Sequence, residues 1–339
     1  MRAAWYERRG PAREVLQVGE LPQPQPGPGQ VRVRVAVSAV NPSDTKGRGT
    51  FLGATAMQYP RVVPHQDGAG TIDAVGEGVP AARIGQRVWL YMSQRGSPHG
   101  TAAQWTVVPA ERAVPLPAAA SFTDGACLGI PAMTAHYALL ADGPVQGKTV
   151  LVPGGAGAVG WYAVQLARWA GAARVIATVS RPEQADRATQ AGAHVVLNYR
   201  EAGLVERLRQ AAPDGVDRIV EVDFAANQDT DAAVIARNGV VAAYASDTDY
   251  QPVLRFRDFM VKNAVLRTVL IYEAPQAALD AAARDINACV EASRLQHQVA
   301  QVHALDDIAS AHEAQESRTV VGKVLVTPTS RVQTSKHDY

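Results

Sequence analysis

Six apolar runs of strand length dominate the middle of the chain. The predicted strands cover residues 149–152, 173–179, 194–197, 217–222, 239–244 and 265–271. Helices are expected between them, and Trp161–Ala170 shows apolar residues at helical spacing. Apolar strands that alternate with helices are typical of a parallel sheet with helices on both faces. This region therefore predicts an α/β fold with a doubly wound sheet.

The residues before and after this α/β region have a different pattern. Val31–Val40 begins by alternating valine with arginine and then alanine, as expected of a half-buried strand, and glycine-bounded strands follow at 68–76 and 85–90. The elements predicted beyond the sixth strand are an alanine-rich helix at about 275–293, a strand at 299–303, a short helix at 306–315 and a closing strand at 322–326.

These patterns predict two domains and a tail. Residues 1–122 and 274–330 would form a β-rich catalytic domain from both chain ends, and residues 123–273 would form the nucleotide-binding domain. Residues 331–339 are polar and are expected to form a tail. Ligands usually bind in clefts between domains.

A glycine-rich segment, Gly154–Gly160, lies between the first apolar strand and the first helix of the α/β region. Absent side chains let the backbone approach a pyrophosphate, and the following helix offers free N–H groups and the positive end of its dipole. Strand, glycine-rich turn, helix and strand together indicate a dinucleotide site.

Composition narrows the function classes. The 339 residues are 47% hydrophobic and 19% charged, with a net charge of +1, which is typical of a globular protein. Without a basic block we expect no nucleic acid or anionic membrane as partner. Residues 1–10 do not resemble a signal peptide, and no apolar run approaches the roughly 20 residues of a membrane span. Two distant cysteines exclude a disulfide framework or cysteine-rich zinc site and favour a cytoplasmic location.

Several short motifs occur in one order along the chain and resemble the medium-chain dehydrogenase/reductase superfamily. They are Asn41–Asp44, Val63–Gly70, Gly85–Val88, Gly100–Trp105, Gly129–Ala135 and Asn198–Glu201. The chain is most similar to the zinc-independent quinone oxidoreductase (zeta-crystallin-like) group. That resemblance implies a GroES-like β-rich catalytic domain, a Rossmann domain and an active site between them. It also implies NADPH as hydride donor, a quinone or conjugated carbonyl as acceptor, and a homodimer paired through residues 264–271.

The resemblance also bears on metal binding. Zinc-dependent relatives have a cysteine where this chain has Asn41, and a histidine–glutamate pair where it has Gln66 and Asp67. An amide cannot replace an imidazole nitrogen on zinc, although His65 lies one position early and a register slip could bring it in. We expect no metal. Without a strong Lewis acid, acceptors that delocalise the hydride's charge are favoured.

The second strand of the α/β region bears on cofactor choice. NAD-preferring Rossmann domains have an acidic residue at its end, whereas this chain has Ser180 and Arg181. A hydroxyl and a guanidinium suit a 2′-phosphate, and Tyr199 matches the family's adenosine-side position. The alternatives are a solvated arginine at a helix start and a half-buried tyrosine at a sheet edge. Some family members have lysine where this chain has Gln184, so the phosphate contact would depend on Arg181.

The remaining candidate residues follow from the resemblance. Cofactor contacts are expected at Thr134, Ala156, Gly157, Ala158, Val159, Asn227, Ser246, Val269, Leu270 and Ile271. Asn41 would donate to the substrate carbonyl or place the nicotinamide, unless it only caps a turn. Asp44 is a second candidate active-site residue. Alternatively, an ion pair with Arg48 would give it a structural role.

The sequence thus favours an NADPH-dependent, zinc-independent oxidoreductase that reduces quinones or other conjugated carbonyls by hydride transfer. One alternative is an enoyl-thioester or alkenal double-bond reductase of the same superfamily. Another, from a different class, is an NADPH-binding structural or regulatory protein.

Overall fold

The computed structural model describes residues 1–50, 53–317 and 319–329. The predicted tail, residues 331–339, lies outside the described residues. The strands are β1 (Arg2–Trp5), β2 (Gln17–Glu20), β3 (Gln30–Val40), β4 (Asp67–Val75), β5 (Arg87–Leu90), β6 (Trp105–Pro109), β7 (Ala113–Pro115), β8 (Thr149–Pro153), β9 (Arg174–Val179), β10 (Val195–Asn198), β11 (Val216–Glu221), β12 (Ile235–Ala243), β13 (Val265–Thr268), β14 (Val299–Ala304) and β15 (Lys323–Thr327). The α helices are α1 (Ala12–Val15), α2 (Pro42–Arg48), α3 (Phe122–Leu140), α4 (Ala158–Trp169), α5 (Pro182–Gln190), α6 (Leu204–Ala211), α7 (Phe224–Val234), α8 (Phe256–Met260), α9 (Gln276–Glu291) and α10 (Ile308–Glu316).

The chain divides into two compact units. One contains Met1–Ile130 and the chain from His297 onward, and the other contains Pro131–Gln296. The expected limits at 122 and 274 differ from this division, because α9 belongs to the second unit rather than to the one formed by the chain ends. Within that unit, His136 on α3 and Asp285 on α9 are joined by a 2.7 Å hydrogen bond between Nε2 and Oδ2.

The second unit is built on a six-stranded sheet in the order β10-β9-β8-β11-β12-β13, with every neighbouring pair parallel. This order is that of a doubly wound dinucleotide-binding fold. The α/β prediction is confirmed, and each predicted strand occurs within a few residues of its expected place. The sixth is shorter than expected, because β13 ends at Thr268 and a 3₁₀ turn covers Ile271–Glu273.

The central strands of this unit are buried on both faces. Val150, Leu151 and Val152 on β8 are at most 1% exposed, as expected of a central parallel strand. Leu151, Ile176, Ile219 and Val241 belong to one core cluster that also contains Phe259. Continuous apolar runs therefore predicted the central part of this sheet, because its strands have no face toward solvent.

The first unit is built on a seven-stranded sheet. Its path is β14-β15-β3-β4-β5-β7, and β6 pairs with β3. On β3, Val31 and Val33 are completely buried while Arg34 is exposed, which confirms the alternating pattern. The antiparallel pairing of β15 with β3 sets Val324 opposite Val40. The first unit's sheet therefore contains strands from both ends of the chain.

One helix is broken inside this fold. Gly129 interrupts α3 with φ −9° and ψ −118°, and Pro131 follows two residues later. A Cβ on Gly129 would lie 2.1 Å from the Asp67 Oδ1 atom, so only glycine fits beside this carboxylate. Among the described residues, no helix has both the length and the apolar character needed to cross a bilayer.

Candidate nucleotide-binding and active site

The glycine-rich turn connects β8 to α4, and its glycines lie in G-x-G-x-x-G spacing. A Cβ on Gly155 would lie 2.6 Å from the Ala177 Cβ atom, so the turn closes tightly over β9. A Cβ on Gly160 would lie 2.2 Å from the Gly154 carbonyl oxygen, so this glycine lets the helix approach the strand. Gly157 and Ala158 are exposed, Val159 is half-buried and Ala156 is 3% exposed. Backbone is therefore open to a ligand where the sequence predicted it.

The N-terminus of α4 carries free donors. Gly157 is its N-cap without a side-chain cap, and the helix's first hydrogen bond runs from Trp161 N to Gly157 O at 2.8 Å. The N–H groups of Ala158, Val159 and Gly160 have no backbone acceptor within the part of the chain that the structure describes. Together with the positive end of the helix dipole, these three donors suit a pyrophosphate.

Three predicted residues lie together at the ends of β9 and β10. The Tyr199 backbone N–H donates to the Val179 carbonyl at 2.9 Å, which brings Tyr199 beside Ser180. The Tyr199 side chain is 49% exposed. Arg181 is the N-cap residue of α5, and its guanidinium makes no hydrogen bond or ion pair with any described residue.

Ser180 has a partner that the sequence did not reveal. Its backbone N–H and its hydroxyl both donate to the Gln184 Oε1 atom, each at 2.9 Å. The hydroxyl hydrogen is thus bound within the protein, although its oxygen can still accept. The Arg181 guanidinium is therefore an unbound donor available to an anion at this corner of the sheet.

A cavity of about 560 Å³ lies at the carboxyl ends of β12 and β13. Its lining includes four aromatic residues and three of the predicted contacts, which are Tyr137, Phe224, Tyr244, Tyr250, Ser246, Val269 and Leu270. The predicted Ile271 follows this segment and is 4% exposed. Thr134 lies one helical turn before Tyr137 on α3 and is 6% exposed. Ligands of doubly wound folds bind at this edge of the sheet.

Asn227 lies beside two buried acids that the sequence reasoning missed. Its Nδ2 atom donates to Glu221 Oε1 at 2.8 Å. Glu221 and Asp231 are completely buried, and Glu221 Oε2 and both Asp231 carboxyl oxygens have no donor among the described residues. Burial raises the pKa of Glu221, and burial together with the Glu221 charge raises the pKa of Asp231. The two carboxyls interact, and their raised pKa values lead us to expect that the pair holds one shared proton.

In the first unit, Asn41 precedes α2 and Asp44 lies in its first turn. The Asp44 carboxylate accepts the backbone N–H groups of Asn41 at 2.7 Å and Gln66 at 3.1 Å. Burial and then the nearby Asp67 charge raise the pKa of Asp44 to about 7. The expected Asp44–Arg48 ion pair does not form among the described residues, because the Arg48 guanidinium pairs with Glu316 on α10.

Asn41 and Asp67 form a buried cluster with Lys323, the first residue of β15. Asn41 Nδ2 donates to Asp67 Oδ2 at 2.8 Å, and the Lys323 ammonium donates to Asn41 Oδ1 and to Asp67 Oδ2, the latter at 3.3 Å. The Ile130 N–H, just after the break in α3, donates to both Asp67 oxygens at 2.9 and 3.0 Å. Burial raises the pKa of Asp67, and the Lys323 charge opposes this shift. Sequence reasoning missed Lys323, whose signal was a single lysine opening an apolar strand.

His65 belongs to a different buried network. Its Nδ1 atom lies 2.7 Å from the Ser38 hydroxyl, and its Nε2 atom lies 2.9 Å from His312 Nε2. Arg48 Nε donates to His312 Nδ1 at 3.3 Å, and Thr101 donates its hydroxyl to the Asp67 carbonyl. Ser38 is also 2.7 Å from Thr101.

The fixed donors at one end of this network set every tautomer. Because Arg48 can only donate, His312 accepts at Nδ1 and donates from Nε2 to His65, which then donates from Nδ1 to Ser38. Both imidazoles are neutral in this arrangement. Burial lowers the pKa of His65 to about 3 and also lowers that of His312. His65 is therefore held by protein partners on both nitrogens.

Two protein-family models match the chain. The model described as "Alcohol dehydrogenase GroES-like domain" covers residues 27–118, and the model described as "Zinc-binding dehydrogenase" covers residues 158–287. The first match falls in the unit with the seven-stranded sheet, and the second falls in the doubly wound unit. The predicted combination of a GroES-like domain and a Rossmann domain is thereby confirmed.

Known proteins resemble the whole chain. A quinone oxidoreductase of Sus scrofa is 31% identical over 291 residues, which is 85% of each protein. A solved structure of an NAD-dependent alcohol dehydrogenase is 28% identical with a TM-score of 0.86, over 96% of this chain and 99% of that one. A mycobacterial protein complexed with NADPH is 27% identical with a TM-score of 0.83, over 97% and 100%. The chain therefore belongs to the quinone oxidoreductase group of the medium-chain dehydrogenase/reductase superfamily.

Proposed function

We propose that this chain is an NADPH-dependent oxidoreductase that reduces quinones or other conjugated carbonyls by hydride transfer and uses no zinc. The observation that carries the proposal is the combination of an open glycine turn with an unpaired arginine at the end of β9. The names of its relatives support the reaction class, since quinone oxidoreductases are similar over most of the chain.

The described residues fit a phosphorylated dinucleotide. The open backbone at Gly157 and the free N–H groups at the start of α4 would hold the pyrophosphate. Arg181, with Tyr199 beside it, would hold the 2′-phosphate, while Ser246, Val269 and Leu270 in the cavity would hold the nicotinamide. NADPH, when bound, supplies the hydride. The protein's part is to orient the two reactants and exclude water.

Arg181 is the main reason for preferring NADPH over NADH. A charge-assisted hydrogen bond contributes about 1.5–3 kcal/mol, so one such bond changes affinity roughly 10- to 100-fold. The relatives include both cofactor types by name, since one solved structure is an NAD-dependent dehydrogenase and another is complexed with NADPH. The choice therefore depends on this chain's own residues, and Arg181 has no anionic partner among the residues that the structure describes.

The donor set at Asn41 and Asp67 does not fit zinc. Asn41 replaces a thiolate, Gln66 replaces an imidazole, and an ammonium lies against the carboxylate that remains. The Gln66 Oε1 atom accepts the Gln94 backbone N–H at 3.2 Å. His65 does not supply the missing imidazole, because both of its nitrogens are bound elsewhere. We therefore route no step through a metal.

The cavity supports a planar conjugated acceptor. Its aromatic lining from Tyr137, Phe224, Tyr244 and Tyr250 offers faces on which a ring can stack. In a quinone or enone the charge that arrives with the hydride spreads over the conjugated system, so little electrophilic help is required. In the first unit, Asn41 would offer a substrate oxygen the Nδ2 N–H that Asp67 leaves unused, and Asp44 would act only through the Asn41 backbone that it binds. Solvent would deliver the proton.

Assembly and location are further parts of the proposal. β13 is the last strand of its sheet, and Val265 and Leu266 on it are exposed, so a homodimer would pair through this edge. The chain's two cysteines, Cys127 and Cys289, are buried and free. Free thiols suit the reducing cytoplasm.

The proposal is tested by following NADPH oxidation at saturating cofactor with four acceptors. These are a polycyclic ortho-quinone, a simple para-quinone, an enal and a short enoyl thioester. We expect turnover with at least one quinone and little or none with the thioester. Turnover confined to the thioester would instead favour a double-bond reductase. Tight NADPH binding without turnover of any acceptor would contradict an enzymatic role and favour the binding-protein alternative.

A further inference from the structure

The Lys323 ammonium is buried among polar atoms in the first unit. Lys323 is 5% exposed, and Asp67, with which it pairs, is completely buried. The pairing of β15 with β3 brings Lys323 beside Asn41, which directly follows β3, although the two residues are 282 positions apart in the chain. The charge therefore lies in the protein interior because of the sheet's register.

The surroundings of this ammonium are those of a bound cation. Its two described partners are oxygens, Asn41 Oδ1 and Asp67 Oδ2. Asp67 also accepts Asn41 Nδ2 and the Ile130 N–H, so donors surround the carboxylate. An isolated buried charge is strongly unfavourable, whereas a paired and fully hydrogen-bonded one is tolerated. Lys323 and Asp67 thus neutralise each other inside the fold.

The same contacts fix which way the Asn41 amide faces. Because an ammonium can only donate, it must face Oδ1, and because a carboxylate can only accept, it must face Nδ2. A flipped amide would place Nδ2 against the ammonium, where two donors would meet, and Oδ1 against the carboxylate, where two acceptors would meet. Lys323 and Asp67 therefore hold the amide in one orientation and leave one N–H on Nδ2 unused by these two partners.

We propose that Lys323 is a tethered cation that fills, from within the chain, the position that a metal ion would otherwise take beside Asn41 and Asp67. Its ammonium neutralises Asp67, anchors the start of the second part of α3 through that carboxylate, and orients the Asn41 amide. Lys323 is a positioning residue in this account, and the cation site exists whether or not the proposed reaction is correct. A shortened side chain should leave a site for a small alkylammonium ion.

The test uses the full chain and thermal unfolding. Lys323→Ala should lower Tm by on the order of 10 °C, because it leaves the buried Asp67 charge without its ion-pair partner. n-Propylammonium, which replaces the deleted atoms, should restore part of the loss and saturate with concentration. Tetramethylammonium and sodium chloride at the same ionic strength should not. The control, Lys262→Ala, removes an ammonium that donates to a single backbone carbonyl at 2.9 Å, and propylammonium should not affect its Tm.

A second pair of variants covers failure of Lys323→Ala to fold. Lys323→Met keeps a long unbranched side chain but removes its charge, and Asp67→Asn removes the opposing charge. The Lys323→Met/Asp67→Asn double variant should have a higher Tm than Lys323→Met alone, since no uncompensated charge remains. A lower Tm for the double variant, or equal effects of propylammonium and tetramethylammonium on Lys323→Ala, would overturn the proposal. Neither readout uses turnover, so either failure would leave the proposed reaction standing.

Discussion

Individual glycines in the β8–α4 turn have separable roles. Gly160 lets α4 approach β8, because its missing Cβ would collide with a backbone oxygen of the turn. Gly157 is the N-cap residue, and the nearest atom to a Cβ there would be the Gly154 oxygen at 3.2 Å. Gly160 is therefore required for packing, and Gly157 leaves room for a ligand.

Alanine at these two positions should separate stability from binding. Gly160→Ala should lower the free energy of unfolding by about 1–3 kcal/mol, because backbone atoms must move. Gly157→Ala should change it by less than about 1 kcal/mol and yet raise the KM for NADPH roughly tenfold, because the methyl group occupies the phosphate's approach. Urea unfolding and steady-state kinetics measure the two effects. Equal losses of stability would contradict this division.

His65 is a second residue whose role is set by its surroundings. It has φ of +81°, which is unusual for a residue other than glycine, and it is completely buried. Hydrogen bonds on both ring nitrogens hold it in this conformation. Burial lowers the pKa of His65 from about 6.5 in the unfolded chain to about 3 in the folded chain. Stability contributed by neutral His65 is therefore present above pH 6.5 and is lost as pH falls.

His65→Asn tests that statement, since asparagine tolerates a positive φ. The variant should be less stable at pH 7.5, but its free energy of unfolding should fall less steeply between pH 6.5 and 4. The slope should differ by about 1.4 kcal/mol per pH unit for one proton. Urea unfolding across this range measures it. The control is His303→Asn, which removes an imidazole that is hydrogen-bonded to the Gln301 side chain. An equal change of slope in this control would contradict the assignment to His65.

At the scale of elements, periodicity predicted most strands and helices. In a strand such as β3 or β8, consecutive residues show which faces are buried, so the pattern can be recognised from a short stretch of sequence. The limit between the units was not predictable in this way. The amphipathic pattern of α9 shows that one face is buried but not which element covers it, and His136 on α3 is 149 residues away from its partner Asp285.

The same difference between local patterns and long-range contacts applies to the site residues. Arg181 was predicted from its place after a predicted strand, where doubly wound folds bind the cofactor's ribose, whereas Tyr199 was predicted from the family resemblance. Lys323, Glu221 and Asp231 carry no spacing motif, since their partners are brought in by sheet register or by the packing of α7. Gln184 was noted only as a departure from the family, and its contact with Ser180 depends on the first turn of α5.

The Glu221–Asp231 contact makes a prediction about β11 and α7. Both carboxyls have raised pKa values, so the folded chain keeps a proton that the unfolded chain releases above about pH 4, and stability falls as pH rises. Asp231→Asn would give Glu221 an uncharged donor. The free energy of unfolding at pH 8 should rise by about 1–3 kcal/mol.

Urea unfolding between pH 5 and 9 measures that gain, which should be smaller at pH 5. The matched control is Asp229→Asn on the same helix, which removes an exposed ion pair with Arg255 and should change stability by less than about 1 kcal/mol. A loss of stability in Asp231→Asn with an unchanged pH slope would contradict the shared proton.

At the scale of the whole molecule, the proposed homodimer predicts a mass in solution of twice the 36.0 kDa of one chain. Val265→Lys/Leu266→Lys on β13 should convert it to a monomer, because charges on an edge strand oppose pairing. The control is Val299→Lys/Val302→Lys, which changes exposed residues on β14, the end strand of the other sheet. Light scattering after size exclusion measures both variants. Dissociation by the β14 variant alone would contradict pairing through β13.

The most direct test of the account is the ratio of kcat/KM for NADPH to that for NADH, measured in the wild type and in Arg181→Ala with one quinone acceptor. Arg257→Ala, which changes an arginine on α8, serves as the control. We expect the wild-type ratio to favour NADPH and to fall roughly 10- to 100-fold in Arg181→Ala, with NADH kinetics little changed. An equal loss with both cofactors, or an unchanged ratio, would contradict the assignment of the 2′-phosphate to Arg181.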